Sequence, residues 1–242
     1  MYIQKTYIIF ITSNYFLNEN IKMGTIDKQL KELYNSKINE LEKTNFSDFA
    51  GPLLMGEKAK KYELQKYKIL FIGKEPNGWM DGTLDVDFLM KEYKSKNLSS
   101  TNIWRYIYDF HNNLNPDYKD QFEFFWTNIS KFCKYNGTAI SNDVFINLYP
   151  KFNVLKEEVK IINPDVVIVF SYDIHDNWLH WQFDDEINWE QIDGFGDLEL
   201  MRLSHPNLPK NSFRTYHPDY LNRNPLLKKR VFEKIITLIN LK

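Results

Sequence analysis

Cysteine is almost missing from this 242-residue chain, which has only Cys133. A lone thiol cannot close an intramolecular disulfide, and by itself it cannot hold a zinc ion or an iron–sulfur cluster. No cofactor and no metal are expected, and a reducing, cytoplasmic setting is the default. An excess of one charge is missing too: 31 Lys and Arg against 32 Asp and Glu leave a formal net charge of -1. That excludes a wholesale polycation, so any nucleic-acid contact has to come from a local basic patch. Long apolar runs are also absent. The segment Tyr7 to Phe16 (YIIFITSNYF) is too short to span a bilayer and is followed by no small-residue cleavage pattern, so no membrane partner is expected. There is no internal repeat, low-complexity tract or flexible linker.

What is present suits one ordinary α/β domain: 43% of the residues are apolar, enough to bury a full core. From Thr25 to Leu41, Ile26, Leu30, Leu33, Tyr34, Ile38 and Leu41 form a helical stripe on a polar segment, which predicts a surface helix. Met23 precedes that pattern, and two readings of residues 1 to 22 stay open: a short extra strand, or an upstream extension. Gly51, Pro52 and Gly56 mark Asn45 to Lys60 as a loop. The expected organisation is an N-terminal extension and helical segment over residues 1–66, packed on a domain over residues 67–242.

Four short apolar runs follow: Lys68 to Gly73, Phe122 to Ile129, Asp165 to Ser171, and then either Leu198 to Ser204 or Phe213 to Tyr216. Helical patterns fall at Val86 to Tyr93, Thr101 to Asn112, Val154 to Ile162 and Pro225 to Leu241, the last opened by a first-turn proline. Strands alternating with helices imply parallel pairing through crossovers. The run Val166 to Phe170 is apolar without alternation, as a strand covered on both faces should be. The pattern predicts a three-layer α/β/α sandwich around a short, mostly parallel, four-stranded sheet. Ligands bind such sheets beyond the carboxyl ends of the strands. The segments to inspect are therefore Gly73 to Trp79, Asn128 to Lys131, Ser171 to Asp173 and His217 to Arg223.

In the first, Gly73-Lys74-Glu75-Pro76-Asn77-Gly78-Trp79, a strand ends in a turn stiffened by proline and loosened by glycines. Backbone amides there approach a ligand closely while one side chain aims into the cleft, although an exposed Lys-Glu pair on an ordinary turn has the same sequence. In the second, Asn128 ends a strand full of aromatics. An amide offers a donor and an acceptor together and so reads a pyrimidine edge, or it caps the following segment. In the last, His217 precedes Pro218, which restricts where its ring points; a turn histidine satisfied by backbone is the alternative. A second pair, His205-Pro206, shows that the dipeptide alone specifies nothing.

Together the segments GKEPNGW, TNISKFC and TYHPDYLNRNP, in that order, resemble the uracil-DNA glycosylase superfamily from about Lys68 to Leu241. The resemblance is nearest to its iron–sulfur-containing bacterial and archaeal family, whose corresponding motifs read GEAPG, TNIVKC and TYHPAYLLRNP. Three differences separate the chain from that family. The cluster cysteines are missing. Lys74 takes the place of the acid, leaving Glu75 where another branch carries an aspartate (GQDPYH). Asp219 stands where many members have a serine.

The resemblance implies base flipping and hydrolysis of the N-glycosidic bond of uracil or another altered base in DNA, with Glu75 and His217 catalytic. It implies Asn128 as base reader and Phe88 as stacking platform, with Trp79 the competitor, and contacts from Gly73, Lys74, Pro76 and Asn77. Tyr220 and Leu221 would form a wedge, with Arg223, Lys228, Lys229 and Arg230 as phosphate contacts. The alternative is a catalytically inactive member that binds a nucleotide, a modified base or a protein partner. The aromatic, acidic segment Ser171 to Gly196 reads as an insertion whose tryptophans pack into core.

Overall fold

The computed structural model describes residues 25–42, 49–56, 61–76, 83–95, 102–119, 123–135, 139–172 and 174–241. Residues 1–22 lie outside them. A first helix, α1 (residues 25–41), turns its apolar stripe inward, with Leu30, Tyr34 and Leu41 fully buried. The stretch read as a loop contains a two-residue strand, β1 (Phe49–Ala50), which pairs antiparallel with β4 (Cys133–Lys134). Gly51 follows β1 at φ 107°, and a Cβ there would stand 2.7 Å from the Lys131 carbonyl oxygen. Only glycine lets the two backbones approach so closely.

The main sheet has six strands rather than the four expected, in the order β3-β2-β5-β8-β7-β6. The strands β2 (Ile69–Gly73), β3 (Phe125–Asn128), β5 (Val166–Phe170) and β8 (Asn211–Thr215) are mutually parallel. Both segments that competed for the fourth strand are strands: β7 (Leu200–Ser204) runs antiparallel to β8, and β6 (Asn188–Gln191) antiparallel to β7. β6 was hidden because it is an edge strand, NWEQ, in which only Trp189 packs on the core and no apolar run forms.

The remaining helices are α2 (Val86–Ser95), α3 (Asn102–Leu114), α4 (Asn142–Leu148), α5 (Leu155–Ile162), α6 (Ile174–Gln182), α7 (Pro218–Arg223) and α8 (Pro225–Asn240). Alternate residues of a strand point to opposite faces. Accordingly Trp126 stacks on Tyr93 of α2 and meets Trp104 of α3, whereas Thr127 donates to Glu158 of α5. Helices thus cover both faces at β3. Beyond Phe71 and Phe170, which stack 6.0 Å apart on one face, α3 and α8 add Tyr106, Phe110 and Phe232 in edge-to-face contacts. The segment after β5 is built into this core: Trp178 of α6 is buried and stacks 4.1 Å from Phe145 of α4.

One buried ion pair ties α1 to the sheet. Lys131, just past β3, bonds to Glu158 and Thr127, and the Tyr34 hydroxyl donates to the other Glu158 oxygen at 2.7 Å. The Met55 amide donates to Tyr34 in turn. Both charged side chains are within 1% of full burial, and burial pulls the Lys131 ammonium below its ordinary pKa while Glu158 opposes that shift.

Candidate active site

Two chain directions diverge from β2. The chain leaves it to form β3 on one side and returns as β5 on the other, so a cleft opens between the carboxyl ends of β2 and β5. Four parallel strands deliver their terminal residues there. The loops after β2 and β3 are stitched together, with the Ile129 amide donating to the Gly73 carbonyl and Ser130 to that of Lys74, both at 2.9 Å.

Gly73 makes room for its neighbour: a Cβ there would force the Asn128 side-chain oxygen to move. The missing side chain lets the Asn128 amide lie against β2, 6% exposed. Among the described residues nothing hydrogen-bonds that amide. Its donors and acceptor therefore stay open toward the cleft, where water or a ligand can complete them.

Glu75 is held from across the cleft. Its Oε2 lies 2.5 Å from Nε2 of His175, in the first turn of α6, and both side chains are largely buried. His175 is itself braced: its ring meets the edge of Trp178 at 4.8 Å, and Trp178 Nε1 donates to Asn142 at 2.8 Å. The next residue, Asp176, accepts from Ser171 Oγ at 2.6 Å and from Arg214 of β8 through Nε and Nη2. Arg214 is 2% exposed and also donates to the Asp197 carbonyl. This pair fixes the start of α6 against β8, the strand that leads to His217.

His217 caps α7, its Nδ1 accepting from the Asp219 amide at 3.3 Å. An accepting Nδ1 carries no proton, so the neutral ring has its hydrogen on Nε2, as a donor. Burial lowers the His217 pKa from 6.5 to about 4. The Lys74 charge pushes the same way and His175 adds a little, while Asp219 and Glu75 oppose. The ring is therefore neutral at neutral pH. Lys74 extends over the Tyr172 ring, 5.0 Å from its centre.

The structure thus brings Gly73, Lys74, Glu75, Asn128 and His217 to one cleft and adds His175, which the sequence reading missed. Pro76 is buried beside them, and Asn77 and Trp79 lie outside the described residues. Phe88 stands on α2, 43% exposed, with no ring contact to this group among the described residues. Of the expected wedge, Tyr220 is exposed, but Leu221 is fully buried in the core, because one turn of α7 rotates adjacent residues apart. The expected phosphate contacts divide similarly. Arg223 is exposed, with Nε donating to the Asp219 carbonyl. Lys228 donates to Asn222 at 2.9 Å and lies over Tyr106, Arg230 reaches the Gly194 carbonyl and Phe195, and Lys229 stands 3.8 Å from Glu233.

Among the described residues no cluster of three or more His, Cys, Asp or Glu side chains could hold a metal. Cys133 is buried on β4 with no second cysteine in the chain, so these residues do not fit an iron–sulfur cluster. No described helix is long and apolar enough to cross a membrane. A parallel α/β sheet with a polar cleft at its switch point defines a broad class of ligand-binding proteins and enzymes. Within it, the sequence profile of the uracil DNA glycosylase superfamily matches residues 59–239, and the chain belongs to that superfamily. No curated protein matches it.

Proposed function

We propose that the protein hydrolyses the N-glycosidic bond of uracil or another altered base in DNA, leaving an abasic site. The observation that carries this reading is a carboxylate held by a histidine, Glu75 with His175, in the same cleft as a histidine kept neutral, His217. Cleavage of the bond builds positive charge on the sugar and negative charge on the departing base. Glu75 serves the first by stabilising the sugar cation and orienting a water through the oxygen that His175 leaves free. The Nε2 hydrogen of His217 serves the second by donating to the base oxygen that gains charge, and donors placed beforehand at such an atom act strongly in a site shielded from water.

Asn128 reads the base edge, since its unpaired amide offers both a donor and an acceptor. The base has to leave the stack to reach it. His175 acts through Glu75 as a positioning residue, and the Asp176–Arg214 pair keeps α6, and so His175, in place. Superfamily membership supports DNA as the partner in coarse terms.

The test is direct. The protein is incubated with oligonucleotides carrying uracil, hypoxanthine or a modified cytosine, and abasic sites are then cleaved with alkali. Release of one of these bases, lost in Glu75→Gln, is the expected result. If no base is released, the activity is wrong and the remaining reading is a non-catalytic member that binds a nucleotide or base in the same cleft.

A further inference from the structure

A duplex-acting enzyme has to push the target base out and grip both flanking backbones. At the loop after β8 the side chains suited to those tasks are committed elsewhere. Leu221 is fully buried. The Tyr220 ring does not stand free as a wedge but rests on Tyr216, with centroids 4.3 Å apart and planes tilted by 37°. Lys228 is half-buried and turned to Asn222 and Tyr106, and Arg230, though exposed, lies along the surface against the Gly194 carbonyl and Phe195.

What the cleft mouth does present is a row of tyrosines. Tyr172, just past β5, is 42% exposed and lies 6.4 Å from Tyr216, just past β8; Tyr216 meets Tyr220, itself 43% exposed. Three rings, one from the stretch after β5 and two from the stretch after β8, thus make one aromatic surface running away from the cleft. Lys74 stands at one end, over Tyr172, and Arg223 is exposed in the last turn of α7 at the other. Aromatic faces in series flanked by cations are what unpaired nucleotides bind: bases stack on the rings without regard to sequence, and the cations meet the phosphates.

We infer that the substrate form is single-stranded DNA, with bases next to the target stacking on the row Tyr172, Tyr216 and Tyr220. This rests on the glycosylase reading for the chemistry, but the binding surface stands independently of it. An unpaired target needs no wedge, which fits a buried Leu221. A short contact with one strand needs few phosphate contacts, which fits a chain of formal net charge -1.

Two measurements on the full chain test this. Uracil release in single turnover is compared for one oligonucleotide alone and annealed opposite adenine, and the unpaired form is expected to react at least about tenfold faster. Affinity for an unpaired oligothymidine is measured by fluorescence anisotropy for the wild type and for single Tyr172 and Tyr220 variants. Alanine at either position is expected to weaken binding about fivefold or more, while Tyr172→Phe and Tyr220→Phe retain it, because stacking uses the ring and not the hydroxyl. Equal or faster release from the duplex overturns the inference, as does alanine binding as tightly as tyrosine, or no binding of unpaired DNA. If neither form loses its base yet binding depends on the rings, the glycosylase reading fails and the inference for the surface stands.

Discussion

The molecule contains the same local motif twice, at opposite ends of its sheet. His205-Pro206-Asn207 follows β7 and His217-Pro218-Asp219 follows β8, and in each the histidine Nδ1 accepts from the amide two residues on, at 3.0 Å and 3.3 Å. Both rings are shifted toward the neutral form mainly by burial. Because β7 and β8 are antiparallel, however, the two motifs emerge at opposite edges. His205 packs on Phe183 with Glu186 3.6 Å away, beside an open cavity of about 520 Å³ lined also by Arg202 and Lys210. His217 instead feels the charges of Lys74, Glu75 and His175 across the cleft. A turn thus prepares a histidine, but strand direction decides what that histidine faces.

That contrast is sharpest in the acids. Glu75→Gln keeps shape and removes charge from the cleft, and base release is expected to fall about 10²- to 10⁴-fold. Glu186→Gln, the mirror change beside His205, is expected to leave it unaltered. A comparable effect on stability is expected at the buried pair. Glu158→Ala strands the Lys131 ammonium in the core, costing about 3–5 kcal/mol by urea unfolding.

Next comes the positioning residue. His175→Leu frees Glu75 to turn, lowering kcat about 10²-fold with KM little changed, whereas His175→Gln, which keeps a donor, recovers part of the loss. A purely structural role would show no such recovery at equal Tm.

The pH dependence of stability separates the two histidines by a smaller margin. The folded-state pKa of His217, about 4, lies below the ordinary 6.5, so the unfolded chain binds the proton more readily. Stability is therefore full above pH 6.5 and declines as the pH falls toward about 4. His205 contributes in the same direction. Asparagine at 217 should flatten the curve of Tm against pH in that window more than asparagine at 205. The smallest effect is expected at Lys228: because its ammonium is turned to Asn222, Lys228→Ala should leave the salt dependence of DNA binding nearly unchanged.

Residues next to strand ends were legible in the sequence. Gly73, Glu75, Asn128 and His217 all stand at the carboxyl ends of apolar runs, where parallel topology exposes them. His175 was not, because it sits on a helix and reaches Glu75 only once β5 pairs with β2; nothing at a separation of 100 residues signals that contact. Lys131 and Glu158 were missed for the same reason, each looking locally like a solvated charge. TYHPDYLNRNP sets Leu221 beside Tyr220, but helical rotation sends the first side chain inward and the second out, which adjacency in sequence does not reveal. The sheet was read two strands short, since β6 carries only one core-facing residue and two runs were treated as rivals for one place.

The most direct test of the whole account is single-turnover uracil release by the wild type, His217→Asn and His205→Asn, with an unpaired oligonucleotide. Loss of the donor at the departing base should slow His217→Asn about 10²- to 10³-fold while His205→Asn keeps the wild-type rate. Equal rates for the two variants would contradict the account, because the cleft at the end of β8 would then have no special part in the chemistry.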